Sequence, residues 1–149
     1  MTTIAYSRRH RVMAGDRLSS VSDMVDGECT KVHKRKDGAL IGVAGARHIA
    51  MSVVRWFLAG EKKASKPSFG DADDCCAVVI VRPCGKVEVH DRCGWAEQED
   101  DYTAIGSGMD FALAALDMGA DPARAVTIAS RRDLYSGCGV NTVALDEPE

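Results

Sequence analysis

"RRDLYSGCGVNTVAL", Arg131–Leu145, is the stretch on which the reading of this chain turns. It begins at the tail of a helical segment, "PARAVTIASRR", crosses a polar step containing Asp133, and makes a tight turn at Ser136-Gly137. It closes as a strand, "GVNTVAL". Working backwards, Asp121 caps that helix with Pro122 at its first position. Gly119 ends an earlier helix, Met109–Met118, which opens at Gly106-Ser107-Gly108 directly behind the strand "YTAIGSG".

The N-terminal half carries the other period. "TTIAYS" and "VMAGD" read as two strands joined by a basic turn, and the β-branched Thr2 and Thr3 suit a strand start. "RLSSVSDMVDGE" is polar, with a turn expected at Gly27. "CTKVHKR" alternates as an edge-like strand, and "KDG" at Lys36–Gly38 signals a hairpin into "ALIGVAG", a continuous apolar run suited to burial on both faces. Helical spacing of Ile49, Ala50, Val53, Val54, Phe57 and Leu58 predicts a helix over Ala46–Ala59, stopped by Gly60. Residues Glu61–Asp74 have loop composition, broken by Pro67 and Gly70. "CCAVVIVRPCGKVEVHD" reads as a further hairpin. Hairpin-joined strands outnumbering helices favour antiparallel sheets packed face to face with helices outside.

With 149 residues, 46% hydrophobic and 28% charged, the chain is long enough for one domain with a real core. Nineteen Lys+Arg against 22 Asp+Glu give a net charge of −3, which recruits no nucleic acid. The basic stretches Ser7–Arg11 and Lys31–Lys36 fall where turns are expected and read as solvated loops. No apolar run approaches the roughly 18 residues of a membrane span, and the N-terminus lacks a signal-peptide core. A cytoplasmic protein with reduced, mostly buried thiols is the expectation for the six cysteines. Cys84, His90 and Cys93 match no common zinc spacing.

Five blocks in one order carry a family resemblance. "RRDLYSG" resembles the "RDxYSGG" segment of proteasome β-subunits, and "MTTIAYSRRHRVMAGD" is similar to the opening of the same family, especially of its bacterial HslV-like branch. "TKV" at Thr30–Val32, "GVAG" at Gly42–Gly45 and "AIGSG" at Ala104–Gly108 match three further blocks. The resemblance implies an α+β fold, the four-layer αββα sandwich of N-terminal-nucleophile hydrolases, and a threonine-type peptidase. Thr2 falls on the nucleophilic threonine, exposed once Met1 is removed. Asp16 and Lys31 fall on the carboxylate and lysine beside it, and Gly45 on the glycine whose N–H faces the scissile carbonyl. Ser107 matches the serine of the "GSG" block, and Asp133 and Ser136 the pair that holds the threonine amine.

Those residue types suit the chemistry. A threonine hydroxyl needs a nearby base, and a free α-amino group, titrating at about 7.7–8.0, supplies one from the same residue. Each residue also has a plainer reading: Asp16 as a turn residue, Lys31 as a solvated edge, Ser107 as a helix N-cap, Gly45 and Ser136-Gly137 as turns.

The chain departs from the family in three places. Glu61–Asp74 is too short and broken for the usual second helix, so that helical layer is expected to be shortened or covered by a neighbour. Leu18 stands where arginine is common, leaving Ser19–Ser20 as the substrate-binding strand. "AGARH" replaces "AGG", which places Arg47 near the specificity pocket and points to acidic or polar side chains. The substrate set is therefore Ser20, Gly45 and Arg47. No cofactor or metal is implied. The implied partners are unfolded polypeptide, further copies in a ring-type homo-oligomer, and a AAA+ unfoldase that would use the ATP, since no Walker-type loop occurs here. The alternative is a catalytically inactive subunit of the same fold; a small-molecule amidase fits the blocks less well.

Overall fold

The computed structural model describes residues 2–148, so Met1 and its removal lie outside it. Eleven strands and three helices are described, and every strand pair is antiparallel.

β1 (Ile4–Ser7), β2 (Val12–Asp16), β10 (Tyr102–Ile105) and β11 (Val140–Ala144) form a four-stranded sheet in the order β10-β1-β2-β11. β5 (Val32–Lys34), β6 (Leu40–Gly45), β7 (Cys76–Val81), β8 (Val87–Asp91) and β9 (Gly94–Gln98) form a five-stranded sheet in sequence order. α1 (Arg47–Leu58) covers the five-stranded sheet, and α2 (Met109–Asp117) and α3 (Pro122–Ser130) cover the other. The result is the αββα sandwich.

Strand alternation builds the layers. Ile4, Tyr6 and Met13 face the second sheet, where they meet Leu40, Val79 and Val81. Their neighbours Ala5 and Ala14 face α2 and α3. In β6 and β7 the intervening residues Ile41, Val43, Val78 and Ile80 face α1. Strands buried on both sides explain the continuous apolar runs. The sheets approach closely at Gly42, where an added Cβ would stand 2.6 Å from Ile4 Cγ2 and 2.8 Å from Met13 Sδ.

Three sequence expectations need correction. The segment after β2 is a hairpin, β3 (Leu18–Val21) and β4 (Met24–Glu28), that turns at Ser22 (φ 53°) rather than at Gly27. Gly27 lies within β4, where its partner Ser19 marks a register shift. The basic stretch at Lys31–Lys36 is no solvated loop: Lys31 is buried and Val32–Lys34 is β5. Of the six free cysteines only Cys76 is buried; Cys84, Cys93 and Cys138 are exposed. Residues between α1 and β7 form a single 3₁₀ turn, Lys63–Ser65, so one helix alone makes that layer.

Candidate active site

Thr3 and Asp16 are joined at the start of β1 and the end of β2. Asp16 N donates to the Thr3 carbonyl at 3.2 Å, and Thr3 N donates to Asp16 Oδ1 at 3.0 Å. Asp16 is fully buried and its carboxylate takes two more backbone donors, Leu18 N at 3.1 Å and Gly137 N at 3.0 Å. Lys31 Nζ completes the set, 3.0 and 3.1 Å from the two carboxylate oxygens. A buried ion pair persists only when its remaining polar atoms are bonded, and this carboxylate meets that condition. Lys31 is anchored through its carbonyl, which accepts from Val43 N at 3.0 Å.

The loop between β10 and α2 closes over β1 from the other side. Gly106 (φ 98°) lies so close that an added Cβ would stand 2.0 Å from the Thr2 carbonyl oxygen. At Gly108 it would stand 1.9 Å from Thr3 Oγ1. Only glycine allows this approach. Ser107, held between them, accepts from Thr2 N at 3.1 Å and donates to Asp133 Oδ2 at 2.6 Å. It is not the cap of α2, whose N-cap is Gly108 without a side-chain bond. Asp133 N bonds the Ala129 carbonyl at 2.8 Å, extending the turn of α3 and fixing the carboxylate. Ser136 Oγ donates to the same Oδ2 at 2.5 Å.

In front of Thr2 lies a cavity of about 360 Å³. Thr2, Ser20, Lys31, Gly45 and Arg47 line it, so all three expected substrate-binding residues meet the threonine there. Asp16, Ser107, Asp133 and Ser136 stand behind, connected by the hydrogen bonds above. Gly45 (φ 113°) ends β6 against the following wall: its Cβ would stand 2.3 Å from the Cys75 carbonyl, which accepts from Ala46 N at 2.9 Å. Arg47 does not stand alone as the charged lining group. Its Nη1 is 3.3 Å from Ser19 Oγ, and Asp73 and Asp74 share the cavity.

Sequence reasoning missed Thr3 and the Asp73–Cys75 wall. Alternation along β1 would have sent Thr3 to the opposite side from Thr2, a usable signal. The wall depends on the isolated Gly70–Cys75 bridge, which composition does not announce.

No family model matches the chain. It is 32% identical over 167 aligned residues to proteasome subunit beta 1 of Thermococcus gammatolerans, covering 90% of this chain and 83% of that one. The chain belongs to the proteasome β-subunit family. Solved proteasome-like structures share its fold: eukaryotic HslV from Trypanosoma brucei aligns with a TM-score of 0.72 at 22% identity, covering 98% of this chain and 100% of the other. BPH from Thiobacillus denitrificans, solved with epoxomicin, aligns with a TM-score of 0.72 at 16% identity over the same shares.

Proposed function

We propose that this chain is a threonine-type peptidase subunit in which removal of Met1 turns Thr2 into an N-terminal nucleophile. The observation that carries the reading is the bond from the Thr2 nitrogen to Ser107 Oγ, made beside a cavity that Lys31 and Gly45 also line. Thr2 Oγ attacks the scissile carbonyl carbon while its proton passes to the Thr2 amine. The cation of Lys31, held by Asp16, favours the neutral amine and the developing alkoxide. The Gly45 N–H serves the tetrahedral oxyanion, a kind of donor worth about 2.7–4 kcal/mol. Collapse breaks the C–N bond, the leaving amine takes the proton, and water then hydrolyses the ester to free Thr2.

The substrates on this reading are unfolded polypeptides, reached inside a ring-type homo-oligomer. A AAA+ unfoldase would deliver them in the cytoplasm. Family membership supports the ring, and the resemblance of the sequence blocks supports the rest.

Intact mass before and after treatment with a peptide epoxyketone tests the chemistry, because that inhibitor class consumes both a threonine hydroxyl and its free amine. The expected result is a chain lacking Met1 that gains one adduct, with none on Thr2→Ala. Retention of Met1, or a processed chain that stays unlabelled where an active relative labels, would overturn the reading in favour of an inactive subunit.

A further inference from the structure

Thr3 is fully buried and touches both halves of the candidate site. Its N–H donates to Asp16 Oδ1, and its Oγ1 lies 2.7 Å from Ser136 Oγ. Counting hydroxyl protons fixes the direction of the second bond. Ser136 has one hydroxyl hydrogen and gives it to Asp133 Oδ2 at 2.5 Å, so the proton between Thr3 and Ser136 comes from Thr3. Ser107 likewise has one. Its choices are Asp133 Oδ2 at 2.6 Å and the Thr2 carbonyl at 3.4 Å, and the short bond to a carboxylate wins. Ser107 Oγ is thereby turned into an acceptor for the Thr2 nitrogen.

We propose that Thr3 is a positioning residue for the Thr2 amine: its hydroxyl fixes Ser136 and, through the shared Asp133 oxygen, the orientation of Ser107. The proposal rests on the threonine-peptidase reading above. A chain of one-way donors runs from Thr3 through Ser136 to Asp133, and a second runs from the Thr2 nitrogen through Ser107 to the same oxygen. Removing the Thr3 donor frees Ser136 to rotate and loosens the carboxylate on which Ser107 depends. Gly108 bears on this directly, since it holds the loop against Thr3 Oγ1.

The test is the rate of epoxyketone adduct formation across pH for the full chain, Thr3→Val and Thr3→Ser. Thr3→Val keeps the shape and the N–H bond to Asp16 and removes only the hydroxyl. We expect it to label about tenfold more slowly, as the loss of one buried hydrogen bond implies. The acid limb of its pH profile should move to lower pH, because a less firmly held Ser107 stabilises the ammonium form less. Thr3→Ser should restore both. In a Ser136→Ala background, Thr3→Val should cost no more than about a further twofold, since the coupled partner is already gone. A Thr3→Val chain with the parent rate and profile would overturn the proposal, as would Thr3→Ser impaired to the same degree. If Thr3→Val does not fold, Ser136→Ala alone must show the slower rate and the shifted limb, and a parent-like profile there overturns the role. Absence of any adduct on the parent chain would instead remove the peptidase reading itself, and this role with it.

Discussion

The two sheets of this molecule are covered in opposite ways. Over the four-stranded sheet, α2 and α3 meet a floor of small side chains: Ala5, Ala14 and Ala104 from the strands, with Ala112, Ala115, Ala125 and Ala129 from the helices. The two helices close that face with small apolar side chains. Over the five-stranded sheet, α1 brings larger residues, Val53, Val54 and Phe57, onto Ile41, Val78 and Ile80. One helix cannot reach across to β8. There the outward residues, opposite Ile80 and Val78, are Glu88 and His90.

Charge takes the place of a second helix on that side. Glu61 accepts from Arg35 and Arg82, each at 2.6 Å, and Arg82 reaches on to Glu88 at 2.7 Å. His90 Nε2 lies 2.9 Å from Glu88 and its ring stacks between Phe69 and Trp95. Arg35 also lies over the Phe57 ring, 4.4 Å from its centroid. A sheet face can thus be closed by small-residue packing or by a bonded run of ions, and the two closures should respond differently to the same experiments.

The largest effect should come from Phe57→Ala, which opens a cavity between α1 and the five-stranded sheet. Urea unfolding should show a loss of about 4 kcal/mol. Next comes Arg82→Met, which leaves two carboxylates short of their cation, at a cost of about 3 kcal/mol near neutral pH. Its pH dependence is specific. The bonds from Arg82, with help from His90, hold the Glu88 carboxyl at about 2 against an ordinary 4.5. At Glu61, burial pushes upward but the bonds from Arg82 and Arg35 outweigh it and the net shift is down. A carboxylate whose pKa is depressed in the folded state adds stability above its unfolded pKa and loses it as pH falls through the folded one. The gap between parent and Arg82→Met should therefore close as pH falls from 4.5 toward about 2. On the other face the alanine floor carries no ion pair, and Ala125→Leu should cost about 2 kcal/mol by overpacking. An equal pH response from both variants would show that the two faces are not independent.

How much of this was legible in the sequence differs by region for the same physical reason. Period and punctuation exposed the long elements: the apolar runs of β6 and β7, the amphipathic stripe of α1, the Asp121-Pro122 start of α3. Local signals stop where tertiary pairing decides. Nothing between Leu18 and Glu28 alternates strongly enough to reveal the β3–β4 hairpin, and Gly27 looked like its turn while the turn itself was made by Ser22. Lys31 illustrates the same limit at the site. In isolation it is an ordinary strand lysine; the fold buries it and brings Asp16 alongside. The family blocks named residues that the fold brings together, because such blocks record that pairing. Thr3 went unread because its neighbour Thr2 accounted for the motif.

The hydrogen bonds around Thr2 and Thr3 also set a clock. They join residues 105 positions apart, from Thr2 to Ser107, and 133 apart, from Thr3 to Ser136. Such distant closures come late in folding, after the loops between them have been gathered. At roughly 5–20 residues added per second during synthesis, several seconds separate the appearance of Lys31 from that of Ser136. A half-made chain therefore holds its hydroxyl and its lysine without the groups that would arm them. The proposed nucleophile is the earliest described residue to be made and among the last to be finished.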